Sequence, residues 1–260
     1  MRRRLYWLGN IAKTRIINDI LATHQSSTPV VIFDYGCGDG GDWKRVLSDY
    51  PHFRLIGYEP NESSATHARK RLQGVPAEIF TSDEIKQLDF LADYIVSFSV
   101  FEHVVHRGQF LAHAKRLLAP AGVFYLNYDD GHFRNWLDLG QADTWLPTLR
   151  TFVRTLVSRP AAAMGSYSKY QRRVDASSAD RLVFEAGFRI VRTDYHNLLD
   201  LKDLAKTIPE NLREEYARWW LEAEEVLNTR FRVDLVRARY GDVVNLWQQM
   251  ASRTLVLNHA

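Results

Sequence analysis

Between residues 29 and 128, short β-branched or aromatic runs alternate with helical stretches, and this alternation restricts the fold more than any other feature of the chain. "VVIFDY", "FRLIGYE", "AEIF", "DYIVSFS" and "VFYLNYD" read as strands. "DWKRVLSDY", "ESSATHARKRL", "DEIKQL" and "QFLAHAKRLL" read as the helices between them. Strand-helix-strand units of this length close as right-handed crossovers, so the expected product is an α/β fold. Its sheet would be mostly parallel and buried between helices on both faces, with any ligand at the carboxyl ends of the strands. "SSADRLVFEAGFRIVRTDY" adds a helix, a stop at Gly187 and another strand, and "SRTLVLNHA" adds one more. The rhythm breaks over residues 131–174 and 197–251, the latter a series of polar-apolar helices such as "PENLREEYARWWLEAEEVL". Both breaks follow core strands, where connecting segments form the mouth of a site. The expected organisation is an N-terminal helix over 1–28, a core over 29–130, 175–196 and 252–260, and a helical substrate cap from the two insertions.

At 260 residues, 46% hydrophobic and 25% charged, the chain has room and composition for one such core with appendages. The opening "MRRRLYWLGNIAKTRIINDIL" has the basic start of a secretion signal, but Asn10, Lys13 and Arg15 interrupt its apolar run. It reads as an amphipathic helix, with Leu5, Leu8, Ala12, Ile16 and Ile20 on one face, that packs on the domain or lies on a membrane surface. No apolar run approaches the roughly 20 residues that cross a bilayer. The single cysteine, Cys37, excludes an internal disulfide framework and points to a reducing, cytoplasmic setting. A net charge of +3 is too small to argue for nucleic acid by itself.

Directly after the first strand, "DYGCGDGGDW" fits two cofactor patterns. Gly36, Gly38 and Gly41 fit the G-x-G-x-x-G that wraps a dinucleotide pyrophosphate. Asp34, Gly36, Gly38 and Gly40 fit the acidic-x-G-x-G-x-G of S-adenosylmethionine (SAM) enzymes. In both, glycines allow a tight turn and a close backbone approach, delivering the ligand to the start of the next helix. The acids separate the two readings. A pyrophosphate would face Asp34, Asp39 and Asp42, whereas the ammonium and sulfonium of SAM are attracted to carboxylates. Glu59, about 20 residues further on at the end of the second strand, has the spacing of a carboxylate that accepts both ribose hydroxyls.

On "DYGCGDG" and Glu59, the core resembles the class I SAM-dependent methyltransferases. The resemblance implies a Rossmann-like seven-stranded sheet whose last strand, "TLVLNHA", runs antiparallel. It implies SAM as cofactor and S-adenosylhomocysteine (SAH) as product. Asp34 and the backbone of Gly36, Cys37, Gly38 and Gly40 would surround the methionine part, and Glu59 would hold the ribose. Pro60 would lie by the adenine, and Ser82 and Asp83 would approach its amine. Ser97, Phe98 and Ser99, in "SFSVFEHV", would end the fourth strand beside the sulfonium.

Methyl transfer is an in-line displacement, and a hydroxyl acceptor must also lose its proton. His103, in "FEHVVH", and His132, in "YDDGHF", follow the fourth and fifth strands and are the candidate bases; the alternative for Glu102–His103 is that the pair orders a helix start. Glu102, His103, Asp129 and Asp130 are also of metal-ligand type, although solvated carboxylates explain them without a metal. Metal-dependent catechol methyltransferases usually carry acids at the end of the fourth strand, where this chain has Ser97 and Ser99. The Asn/Asp-Pro-Pro-aromatic motif of exocyclic-amine methyltransferases is replaced by "SFSVFEH", and Cys37, in the cofactor loop, is not placed as a cytosine-C5 nucleophile. Its other role is that of a small packed residue.

From Thr144 to Val174 the chain has no acid but contains Arg150, Arg154, Arg159, Lys169, Arg172 and Arg173. This block is a solvated basic face, a docking site for an anionic acceptor, or a contact for an anionic membrane surface. Trp136, Trp145, Trp219, Trp220 and Trp247 all lie in the insertions, as packing residues or as flat walls for a ligand. The leading expectation is therefore a SAM-dependent methyltransferase acting at oxygen on a small or medium-sized acceptor, with an anionic acceptor as one reading of the basic block. Alternatives are methylation of RNA or a lipid-linked glycan, a non-catalytic SAM-binding scaffold, and an NAD-dependent reductase.

Overall fold

A computed structural model of the protein describes residues 10–24, 28–41, 43–81, 89–129, 174–237 and 250–260. The chain divides into two compact units: Met1–Thr23, Tyr128–Ser178 and Thr193–Thr254 form one, and His24–Asn127, Ala179–Arg192 and Leu255–Ala260 the other.

The second of these units holds the sheet. Its strands are β1 (Val30–Tyr35), β2 (Phe53–Tyr58), β3 (Ala77–Phe80), β4 (Ala92–Phe98), β5 (Leu118–Asp129), β6 (Phe188–Leu198) and β7 (Met250–His259), in the order β3-β2-β1-β4-β5-β7-β6. The outer ends of β5, β6 and β7 belong to the other unit. β1 pairs in parallel with β2 and β4, β2 with β3, and β4 with β5. Parallel neighbours require crossovers, and the helices α2 (Trp43–Asp49), α3 (Glu62–Arg71) and α4 (Arg107–Leu117) lie in the connections between them. The apolar runs that define the strands are buried on both faces: Val30, Ile32 and Phe33 in β1, and Tyr94, Ile95 and Val96 in β4.

Local chemistry sets the element ends. Asn61 caps α3, its side chain accepting the Ser64 backbone N–H at 3.0 Å, while Glu62 opens the helix and Arg69, Lys70 and Arg71 close it, each on the favourable end of the helix dipole. α2 buries Trp43, Val46 and Leu47 at helical spacing. Asp175 caps α5 (Ala176–Glu185): its carboxylate accepts the Ser178 N–H at 2.9 Å and the Ser177 hydroxyl at 2.6 Å. Those bonds hold its pKa down to about 2.

The other unit is built on α1 (Ile11–Thr23), α6 (Leu199–Ala205) and the 25-residue α7 (Arg213–Arg237). Ile11, Ala205, Tyr216, Trp220 and Leu221 form its core. A buried polar network fastens α7 to the end of β6. Glu224 accepts the Leu198 N–H at 2.9 Å and the Trp220 indole N–H at 2.7 Å and faces His196 Nδ1 at 3.2 Å. The Asn228 amide closes on both the N–H and the carbonyl of Tyr195. Among the described residues, no helix is long and apolar enough to cross a membrane.

Candidate functional site

In a parallel sheet the carboxyl ends of the strands gather loops around the point where the strand order reverses; here β1 and β4 are adjacent while their crossovers leave in opposite directions. β1 ends there on Asp34 and Tyr35, with Asp34 in register with Gly57 of β2 and Val96 of β4. The aromatic ring of Tyr35 is stacked on Phe110 at 4.2 Å, and its hydroxyl lies 3.1 Å from His113 Nδ1. Burial, and secondarily the neighbouring Tyr58, raise the pKa of the phenol, so it stays neutral.

The chain then turns through Gly36, Cys37, Gly38 and Gly40. The Gly36 and Cys37 N–H groups both donate to the Tyr58 carbonyl at 2.9 Å, which ties the turn to the end of β2. Gly36 has φ +97°, and a Cβ there would lie 2.4 Å from Cγ2 of Val100, so the turn after β4 is packed directly against the loop. Gly38 has φ +58°, and a Cβ there would meet nothing within 4 Å. The loop is therefore closed on its β4 side at Gly36 and open at Gly38. Cys37 is buried and packs against Gly57, the position in β2 that leaves room for its sulfur.

Two carboxylates border the turn, each accepting hydrogen bonds from N–H groups. Glu59 accepts the Gly38 N–H at 3.0 Å and the Asn61 N–H at 2.8 Å, so the ends of β1 and β2 meet through one side chain. Asp34, only 2% exposed, accepts the Trp43 indole N–H at 2.6 Å. These donors, backbone amides and an indole, carry no charge of their own. Across the site, Ser97 is buried and, among the described residues, its Oγ has no hydrogen-bond partner; Phe98 is buried beside it. Ser99 adopts φ +53°, and its N–H donates to the Asn127 carbonyl at 3.0 Å. His103 ends a 3-10 turn, Phe101–His103, whose Glu102 is buried.

The structure thus gathers Asp34, Gly36, Cys37, Gly38, Gly40 and Glu59 into one loop cluster, with the Ser97–Ser99 strand end brought to it through Val100. Pro60 is exposed just past Glu59. Ser82, Asp83, His132 and the basic segment 144–174, apart from Val174, lie outside the described residues. Among the described residues, no three acidic, histidine or cysteine side chains are grouped to hold a metal ion. α2 is only seven residues long, so its contribution to anion binding is that of two turns. Trp43 and Asn61 were not anticipated as site residues. Asn61 has a readable signature, an Asn immediately before an acidic helix start. Trp43 reaches back nine residues to Asp34 and leaves no spacing pattern.

These features suit SAM: carboxylates at two separated points for a cation and a diol, open space over Gly38, and a buried hydroxyl with unused capacity at the end of β4. A pyrophosphate would meet the same carboxylates as repulsion.

The comparisons agree. A methyltransferase-domain family matches residues 33–124. A trans-aconitate 2-methyltransferase from Acidovorax ebreus is 31% identical over 128 residues, 48% of this chain and 48% of that protein. The chain spans about half the length of the curated relatives it matches. Among solved structures, the cyclopropane synthase MmaA2 from Mycobacterium tuberculosis superposes over 95% of this chain and 84% of its own, with TM-score 0.59 and 21% identity. The mycolic acid cyclopropane synthase CmaA1, solved with SAH bound, superposes over 95% of this chain and 84% of its own, with TM-score 0.55 and 20% identity. The family match over residues 33–124 and the superpositions agree with the glycine turn and the sheet order: this part of the chain is similar to methyltransferase domains, and its fold is that of the class I SAM-dependent methyltransferases.

Proposed function

We propose that the protein transfers the methyl group of SAM to a small, anionic acceptor at oxygen. The observation that carries the cofactor half is the Glu59 carboxylate, held by Gly38 and Asn61 at the edge of an open glycine turn. In this reading it accepts the ribose hydroxyls while Asp34 faces the ammonium. Bound SAM supplies an electrophilic methyl on a cationic sulfur. Ser97, Phe98 and Ser99 border the reacting end, and Ser82 and Asp83 the adenine.

For the acceptor, two observations converge. Residues 144–174 combine six bases with no acid. A relative covering about half its length with this chain is named for methylation of trans-aconitate, a polycarboxylate. A carboxylate is ionised at neutral pH, so alignment suffices for its oxygen to displace the sulfur. A hydroxyl acceptor would pass its proton to His103 or His132 as the new C–O bond forms and the C–S bond breaks.

The experiment is incubation with SAM and a panel of di- and tricarboxylic acids, hydroxy acids, phosphorylated alcohols and RNA, with mass spectrometry of the products. The proposal expects one added methyl on an acidic small molecule, as an ester or ether. Methylation of RNA alone, or SAM binding without turnover on any acid, overturns the acceptor assignment. If the product is a methyl ester, His103→Ala should retain kcat; if it is an ether, kcat should fall with little change in SAM affinity.

A further inference from the structure

We infer that Trp43 is a positioning residue for the methionine end of the cofactor, acting through Asp34. The inference rests on the SAM reading above. Its basis is the bond from the indole N–H to Asp34 Oδ2 at 2.6 Å, between a ring 1% exposed and a carboxylate 2% exposed. A carboxylate at the end of a strand can turn about its last bond, and this bond stops it. Trp43 is itself fixed twice. Its backbone N–H donates to the Gly40 carbonyl at 3.1 Å, and its ring is among the largest fully buried side chains. The indole therefore reports the position of the glycine turn to the carboxylate, and the two move as one.

The donor type matters as much as the geometry. An arginine or lysine at this place would orient Asp34 equally well but would cancel much of its charge. Indole donates one hydrogen bond and carries no charge, so this donor orients Asp34 without itself cancelling the carboxylate's charge. Glu59 is treated the same way by the amides of Gly38 and Asn61 at the ribose end. In this reading each carboxylate is oriented toward a different part of one ligand, Asp34 through the Trp43 indole and Glu59 through two backbone amides. This division predicts that Trp43 affects only ligands that possess the amino-acid part.

SAH carries ribose, adenine and the α-ammonium; 5′-methylthioadenosine carries only the first two. Calorimetry on the full chain compares both ligands with wild type, Trp43→Phe and Asp34→Ala. The expected result is a loss of SAH affinity of about ten- to hundredfold in Trp43→Phe, the size of one hydrogen bond to a charged group, with methylthioadenosine affinity unchanged. Asp34→Ala should show the same selectivity, and adding Trp43→Phe to it should lower SAH affinity no further. Glu59→Ala, in contrast, should weaken both ligands. Where phenylalanine fails to support the fold, replacing the Trp43 indole with its benzothiophene analogue keeps the bicyclic shape and removes only the N–H. Equal losses for SAH and methylthioadenosine, or no loss for either, overturn the positioning role and leave Trp43 a core residue. A wild-type protein that binds neither ligand refutes the cofactor reading instead, so the two failures are distinct.

Discussion

Gly36 and Gly38 lie two residues apart, both at positive φ, yet the structure gives them opposite surroundings, and alanine at each should therefore fail in a different way. At Gly36 a methyl group would sit 2.4, 3.1 and 3.3 Å from three carbons of Val100, at φ +97°. The positive-φ conformation costs about 1–2 kcal/mol for a residue with a Cβ, and forcing a carbon into a filled space costs about 1–3 kcal/mol more. Gly36→Ala should thus destabilise by about 2–5 kcal/mol. At Gly38 only the backbone contribution applies, since a Cβ at φ +58° meets nothing within 4 Å, and the loss should be about 1–2 kcal/mol. Urea unfolding of each variant, read by circular dichroism, measures the difference. Val100→Ala supplies the control, because in that background the steric part of the Gly36→Ala penalty should disappear. Ligand affinity should rank the other way for a given loss of stability. In the proposed site the cofactor passes through the open space at Gly38, so Gly38→Ala should weaken SAH binding although the protein remains folded. Equal destabilisation at the two positions, or no relief from Val100→Ala, would refute the packing of the β4 turn on the loop. Wild-type SAH affinity in Gly38→Ala would refute the ligand path.

Glu59→Ala should weaken SAM binding by about 1.5–3 kcal/mol; calorimetry showing unchanged affinity in a folded variant would place the ribose elsewhere. Glu224→Ala leaves the Leu198 N–H, the Trp220 indole and His196 without their buried acceptor, and should destabilise by about 3–5 kcal/mol in thermal or urea unfolding. Asp175→Ala should cost about 1 kcal/mol at neutral pH, as for other N-caps. Because the folded pKa, about 2, is below the usual value, the wild-type advantage is full above the unfolded pKa near 4 and is lost as pH falls toward 2; unfolding of both proteins from pH 7 to 2 checks the convergence. If the basic segment binds an anionic acceptor, alanine at Arg172 and Arg173 should raise the acceptor KM without changing SAM affinity. That effect should shrink with added salt, since exposed charges are screened over about 8–10 Å near physiological ionic strength; wild-type kinetics would make the segment a solvated face.

The strand rhythm was legible because each strand concentrates β-branched and aromatic residues between polar helices, and β1, β2, β3 and β4 lie within one residue of the runs that announced them. β5 departs furthest from its run. Its observed start, Leu118, lies five residues before "VFYLNYD", because Pro120 and Gly122 disguise a strand whose pairing shifts register between Ala92 and Tyr94. At the candidate site, the sequence spacing set the glycine turn and Glu59 at the ends of neighbouring strands, and the bond from Gly38 to Glu59 joins them directly; the ribose role of Glu59 remains a proposal. What sequence did not disclose are contacts made by side chains across elements. Trp43 against Asp34, Val100 against Gly36, and Gly57 under Cys37 depend on how a loop folds back, and no periodicity records that.

If this loop binds SAM and not a dinucleotide, titration calorimetry of the full chain with SAM, SAH and NAD separates the two. SAM and SAH should each bind saturably at one-to-one stoichiometry, both losing binding in Gly38→Val, and NAD should give no heat of binding. Saturable binding of NAD with no response to SAM or SAH would contradict the SAM reading.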